Sequence, residues 1–154
     1  MHVTNYNELN AQLRSLIEGV PYRIANLANA SALLWQELEG LNWAGFYLMR
    51  EGALVLGPFQ GKPACIRIAL GKGVCGTAAE TGLTQRVENV HEFPGHIACD
   101  CASNSEIVVP ICHGGQVVAV LDLDSPHFAR FTEEDRAGLE EFVRILEEEW
   151  GRMS

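Results

Sequence analysis

A chain of 154 residues is long enough for one domain with a real core and too short for two, and 47% hydrophobic with 20% charged residues reads as a soluble globular protein. Its formal net charge of −9 excludes the basic footprint of a nucleic-acid backbone binder and attachment to an anionic membrane surface. No apolar run approaches the roughly 20 residues that span a bilayer and MHVTNYNELNAQL lacks the flank and core of a secretory leader, so the expected compartment is the reducing cytosol, where the five cysteines are thiols rather than a disulfide framework.

Helical spacing of Leu9, Leu13, Leu16 and Ile17 predicts a first helix over Asn7 to Glu18. Pro21 opens a second, with Ile24, Leu27, Ala28, Leu34 and Leu38 on its apolar face and Gly40 at its end. A β-rich middle follows. NWAGFYLM predicts a strand from Trp43 to Met49, turning at Glu51-Gly52 into ALVLGPF. Ile66 to Leu70 is a further short strand. Gly71 to Gly82 begins as a Gly-rich turn and becomes a short Ala-rich helix, and Leu83 to Val87 is again extended. Glu106 to Cys112 and Gln116 to Leu123 form two apolar strands joined by a His113-Gly114-Gly115 hairpin. Thr132 caps the last helix with Asp135 three residues on, and Leu139, Phe142, Val143, Leu146 and Trp150 mark its apolar face. The expected architecture is a single α+β domain over 1–154, with helices covering one face of an antiparallel sheet. Its parts are N-terminal helices (about 6–40), sheet and loops (about 41–126) and a C-terminal helix (about 132–150).

The cysteines are not equivalent. In PGHIACDC, Cys99 and Cys101 sit on a loop behind a Pro-Gly turn signal, ahead of the apolar SEIVVPI strand. A staple, a metal site and a reactive thiol compete there. Cys112, inside an apolar strand, is expected to be buried as a small hydrophobe. Cys75, between two glycines at a helix start, has two open readings: a thiol whose pKa is lowered by backbone N–H groups, or a packed small residue. Cys65 lies at a loop-to-strand junction. No CxxC pair supports structural zinc, and a site would have to assemble from the C-x-C with His91, His96 and His113. Redox chemistry fits better, because a reactive thiol and a resolving thiol must both lie on exposed or mobile segments, as Cys65 and Cys99 do.

Asp122 and Asp124 are two apart in a strand and share a face. The bland reading is a solvated strand end. The sharper one is an acidic cage for an ammonium group, with Glu106 as its third wall. Trp43 and Tyr47 also share a face and serve either as core aromatics or as pocket walls.

In this order, NWAGFYL, LGPFQGKPAC, IALGKGVCGTAAETG, PGHIACD, SEIVVPI and LDLDSP resemble the free methionine-(R)-sulfoxide reductases, single GAF-domain enzymes. The resemblance implies a central antiparallel sheet flanked by helices. It implies reduction of free L-methionine-(R)-sulfoxide, with Cys99 as nucleophile, Cys65 as resolving thiol and Cys75 as an auxiliary thiol. Trp43 and Tyr47 would cradle the methyl-sulfur end. Glu106, Asp122 and Asp124 would hold the polar end, with Glu106 or Asp124 as proton donor. It further implies recycling by external thioredoxin, no bound cofactor, no metal, and homodimerisation with the N-terminal helices as the candidate contact. Cys101 and Cys112 lie outside the family's cysteine pattern, and Cys101, two residues from the nucleophile, is a rival resolving thiol. Two other classes stay open: a non-catalytic ligand-sensing GAF module, against which stand the short sequence after the last helix and the missing NKFDE-type pattern, and a zinc-binding structural protein.

Overall fold

The structure, a computed structural model, describes residues 2–95 and 103–154. Helices α1 (Tyr6–Ile17) and α2 (Arg23–Glu37) precede strands β1 (Trp43–Arg50), β2 (Ala53–Gly61) and β3 (Arg67–Ala69). Helix α3 (Gly73–Thr81), β4 (Gln85–Val87) and a short 3-10 turn (Val90–Glu92) follow, then β5 (Ser105–His113), β6 (Gln116–Ser125) and α4 (Glu133–Trp150). The six strands form one antiparallel sheet in the order β3-β2-β1-β6-β5-β4. Both predicted hairpins close on two left-handed residues, Glu51-Gly52 (φ 50° and 79°) and Gly114-Gly115 (φ 61° and 78°), the backbone that matches strand twist.

Strand periodicity sorts the sheet into two faces. On one, Ala44, Phe46 and Leu48 of β1 join Leu121 and Leu123 of β6 and Ile107, Val109 and Ile111 of β5 beneath α1, α2 and α4. This is the main core. On the other face the residues between them meet α3. The expectation of helices on one face is therefore corrected: α3 covers the second face, where it packs on β5 and β6.

Helix faces follow their docking partners more than their spacing alone. Leu9, Leu13 and Ile17 of α1 are buried, whereas Leu16 faces out. In α2, Leu27 and Leu34 are buried and Leu38 follows them, but Ile24 is exposed and Ala28 lies outside the core. The reason is Arg23, at the start of α2. Its Nη2 donates to the carbonyls of Trp150 (3.0 Å) and Met153 (2.7 Å), and its guanidinium lies 4.4 Å over the Trp150 ring. The last turn of α4 contains no basic residue, and Arg23 brings a cation to those carbonyls from another helix.

The predicted capping box is present: Thr132 Oγ1 accepts from Asp135 N–H (3.1 Å) and Thr132 N–H donates to Asp135 Oδ2 (2.9 Å). Asp135 also accepts from the Tyr6 hydroxyl (2.7 Å) and pairs with Arg130 (3.1 Å). Gly138 lets Tyr6 lie directly on α4, since a Cβ there would fall 2.1 Å from the ring. No helix among the described residues is long and apolar enough to cross a membrane.

Candidate active site

Register builds the second face row by row. Glu106 pairs with Asp124, which pairs with Trp43; Val108 pairs with Asp122, which pairs with Gly45; Pro110 pairs with Val120, which pairs with Tyr47. Period-two geometry thus brings the three acids and both aromatics to one face. β6 extends to Ser125, so Asp122 and Asp124 lie inside the sheet. The solvated-end reading is excluded: Glu106, Asp122 and Asp124 are 7%, 5% and 9% exposed.

The aromatic wall is continuous. Trp43 stacks on Phe59 of β2 (5.1 Å between centroids, 14°) and on Tyr47 (5.8 Å, 24°). Gly45 sits between Trp43 and Tyr47 in β1, and a Cβ there would fall 2.3 Å from the Phe59 Cβ. The polar tips of the wall reach into the loop over residues 62–65. Trp43 Nε1 donates to the Lys62 carbonyl (3.1 Å), and the Tyr47 hydroxyl donates to the Cys65 carbonyl (3.1 Å). Cys65 is half-buried and disulfide-bonded. Neither Cys75 nor Cys112 is its partner, both being free thiols.

Helix α3 closes the pocket from above. Gly76 packs against the end of β3, where a Cβ would meet the Ala69 carbonyl at 2.5 Å. That approach delivers Cys75 to the acids. Its sulfur donates to Asp122 Oδ2 at 3.3 Å and lies 4.0 Å from Glu106 Oε2. Of the two readings of Cys75, the packed residue holds. Burial, then the charges of Asp122, Glu106 and Asp124, push its pKa up rather than down. Cys112 is half-buried rather than buried, with its N–H donating to Glu147 Oε2 (2.7 Å). Burial and then Glu147 raise its thiol pKa.

The acids perturb one another. Burial, then the Asp122 and Asp124 charges, hold the Glu106 pKa well above the ordinary range. Burial raises Asp122, against hydrogen bonds that lower it. Burial and then Asp122 push the Tyr47 phenol up. Asp122 Oδ1 is buried and accepts no hydrogen bond among the described residues. An orphaned carboxylate oxygen in a desolvated site is costly unless a cationic or donor ligand meets it.

The folded chain therefore holds protons on the Glu106–Asp122 pair more tightly than the unfolded chain does. Stability from this source is fully present below the ordinary carboxyl pKa, about 4, and is lost as pH rises through the raised values. Glu106→Gln removes part of that loss. Thermal melts should show Tm of the variant gaining on wild type as pH rises above the ordinary carboxyl range; parallel curves would place the pH dependence elsewhere.

Trp43, Tyr47, Cys75, Glu106, Asp122 and Asp124 line one cavity with about 60 Å³ accessible to water centres. Pro63 and Ala64 line it beside Cys65, as do Lys72 and Gly73 at the start of α3 and Ser103. The sequence reading missed this last group. Lys72 and Gly73 lie in the GKGVCG turn, whose glycines signalled a turn but not what it faces. Ser103 is held by Asn42 (3.3 Å) and carried no signal. Cys99, Cys101 and His96 lie outside the described residues. His91 accompanies Asn104, just before β5 (2.8 Å), and His113 ends that strand, roughly 30 Å along it at about 3.3 Å per residue. A zinc site sharing these two histidines is excluded.

The family model described as GAF domain matches residues 26–147. The chain is 55% identical over 142 residues to the free methionine-R-sulfoxide reductase of Escherichia coli, covering 92% of this chain and 86% of that one. The structure superposes on the Neisseria meningitidis free methionine-R-sulfoxide reductase, solved in complex with its substrate, with TM-score 0.92, 42% identity and 99% and 97% of the two chains covered. The reduced fRMsr of Staphylococcus aureus gives TM-score 0.93, 52% identity and 96% of each chain. With these similarities along nearly its whole length, the chain belongs to the GAF-domain family of free methionine-R-sulfoxide reductases.

Proposed function

We propose that this chain reduces free L-methionine-(R)-sulfoxide to methionine. The observation that carries the reading is the buried pocket of three carboxylates, one with an unpartnered oxygen, floored by stacked aromatics and bordered by the Cys65 loop. The acids take the ammonium group. Lys72 and the start of α3 face the α-carboxylate, and Trp43 and Tyr47 take the methyl-sulfur end. A methionine sulfoxide residue inside a protein has no ammonium group, which leaves the acids unmatched and explains preference for the free amino acid.

A protonated carboxyl of the cluster, Glu106 or Asp124, donates to the sulfoxide oxygen. The Cys99 thiolate attacks the protonated sulfoxide, the oxygen passes from the methionine sulfur to the Cys99 sulfur as one S–O bond breaks and the other forms, methionine leaves, and Cys99 is left as a sulfenic acid. The Cys65 thiol condenses with it to a disulfide and releases water. The dithiol of thioredoxin restores both thiols and is itself oxidised. The scheme uses no metal and no bound organic cofactor. Cys75 exchanges slowly where it sits, since burial among acids suppresses its thiolate. Homodimerisation through the N-terminal helices belongs to the same reading and is supported by the exposed Leu16 and Trp35.

The test is NADPH oxidation coupled through thioredoxin and its reductase, with the R and S epimers of free methionine sulfoxide supplied separately. The R epimer alone should turn over, and Cys99→Ser should abolish it. Turnover of neither epimer by fully reduced protein would favour the ligand-sensing module. Activity surviving in Cys99→Ser would move the nucleophile to Cys101.

A further inference from the structure

Among the described residues, Cys75 brings to the pocket a chemically soft thiol that the proposed reduction does not use. We propose that Cys75, Glu106 and Asp122 form a binding site for a thiophilic divalent cation of the Zn²⁺ or Cd²⁺ class, which blocks the pocket when it is bound.

One ligand atom from each residue lies within 4.8 Å of the other two. The Cys75 sulfur is 3.3 Å from Asp122 Oδ2 and 4.0 Å from Glu106 Oε2. Bonds of about 2.0 Å to oxygen and about 2.3 Å to sulfur imply tetrahedral edges of roughly 3.3 to 3.5 Å, so the ligand atoms need to close by no more than about 1.5 Å. The second observation is Asp122 Oδ1, which is buried and without a hydrogen bond among the described residues. It leaves this carboxylate with accepting capacity that a cation would use. A dication also matches the charge of the site, where acids crowd together with little solvent. Binding releases the Cys75 thiol proton and any proton held by the two carboxyls to solvent, and no electrons move. The thiolate selects against Mg²⁺ and Ca²⁺, which demand oxygen ligands. The fourth coordination position opens into the cavity, where water or an amine completes it.

Cadmium is the probe, because its bond to thiolate has an ultraviolet charge-transfer band. In the reduced full-length chain carrying Cys65→Ser, Cys99→Ser and Cys101→Ser, one equivalent of Cd²⁺ should generate that band. Adding Cys75→Ser should remove it and weaken binding at least about 100-fold, beyond the usual cost of losing an outer-shell partner. Adding Cys112→Ser should change nothing, and Asp122→Asn should weaken binding about tenfold or more. A band that survives Cys75→Ser overturns the site, as does its absence from a variant that melts like wild type. Should the triple variant fail to fold, reduced wild type and its Cys75→Ser variant are compared directly. Loss of one cadmium equivalent supports the site, and unchanged stoichiometry overturns it. Binding is read without turnover, so its failure leaves the reductase reading intact.

Discussion

Asp122→Asn should lower kcat/KM for free methionine-R-sulfoxide by about 100- to 1000-fold, or about 3 to 4 kcal/mol, while Tm stays level or rises. Both halves come from the same geometry. Asp122 occupies the middle row of the site, beside Gly45 and under Cys75. Its Oδ1 is the buried acceptor that no described group fills. Removing its charge takes away a principal counter-charge for the ammonium group, and the loss falls chiefly on KM. The free enzyme carries that charge at a cost, since Asp122 is the largest charge perturbing Glu106. A neutral amide of the same shape relieves the repulsion and can donate to a neighbouring acid. Glu106→Ala should likewise raise KM far more than it destabilises the fold. Steady-state kinetics and thermal melts of both variants check this, and unchanged kinetics would sink the ammonium cage.

Gly45→Ala should destabilise the fold by about 3 kcal/mol or more and abolish turnover. The added methyl would lie 2.3 Å from the Phe59 Cβ, 2.7 Å from its Cα and 2.8 Å from the Pro58 carbonyl. Two of these atoms are backbone of β2, which is paired to β1 on both sides of the contact. Relief requires the strands to part, and parting them unstacks Trp43 from Phe59. Urea unfolding measures the loss as a lower midpoint with a similar slope. A wild-type midpoint would mean that β2 yields more readily than a paired strand should.

Much of this was legible in the sequence, for a physical reason. Period-two alternation is visible without coordinates, so Asp122 with Asp124 and Trp43 with Tyr47 could be assigned common faces. The capping box is local, and Thr132 with Asp135 behaved as their spacing required. What stayed hidden was non-local. Cys75 had two readings because its pKa depends on acids 31 and 47 positions away. Ile24 looked like a core residue because nothing near it reveals that Arg23 turns toward the end of α4. Lys72 and Ser103 reach the pocket through tertiary placement alone. The order of motifs marked the family, and register in space marked the pocket.

The odd-and-even sorting of the sheet also rejects errors in assembly. A slip of β6 by one residue would turn Asp122 and Asp124 under α1 and α4 and send Leu121 and Leu123 into the polar pocket. Two carboxylates in that apolar layer would have no cation to meet, at a cost of several kcal/mol each. The acids proposed to bind substrate thus also act as a proofreading device during folding, penalising one-residue slips of the strand pairing. A chain that has folded stably has, by the same event, aligned its pocket.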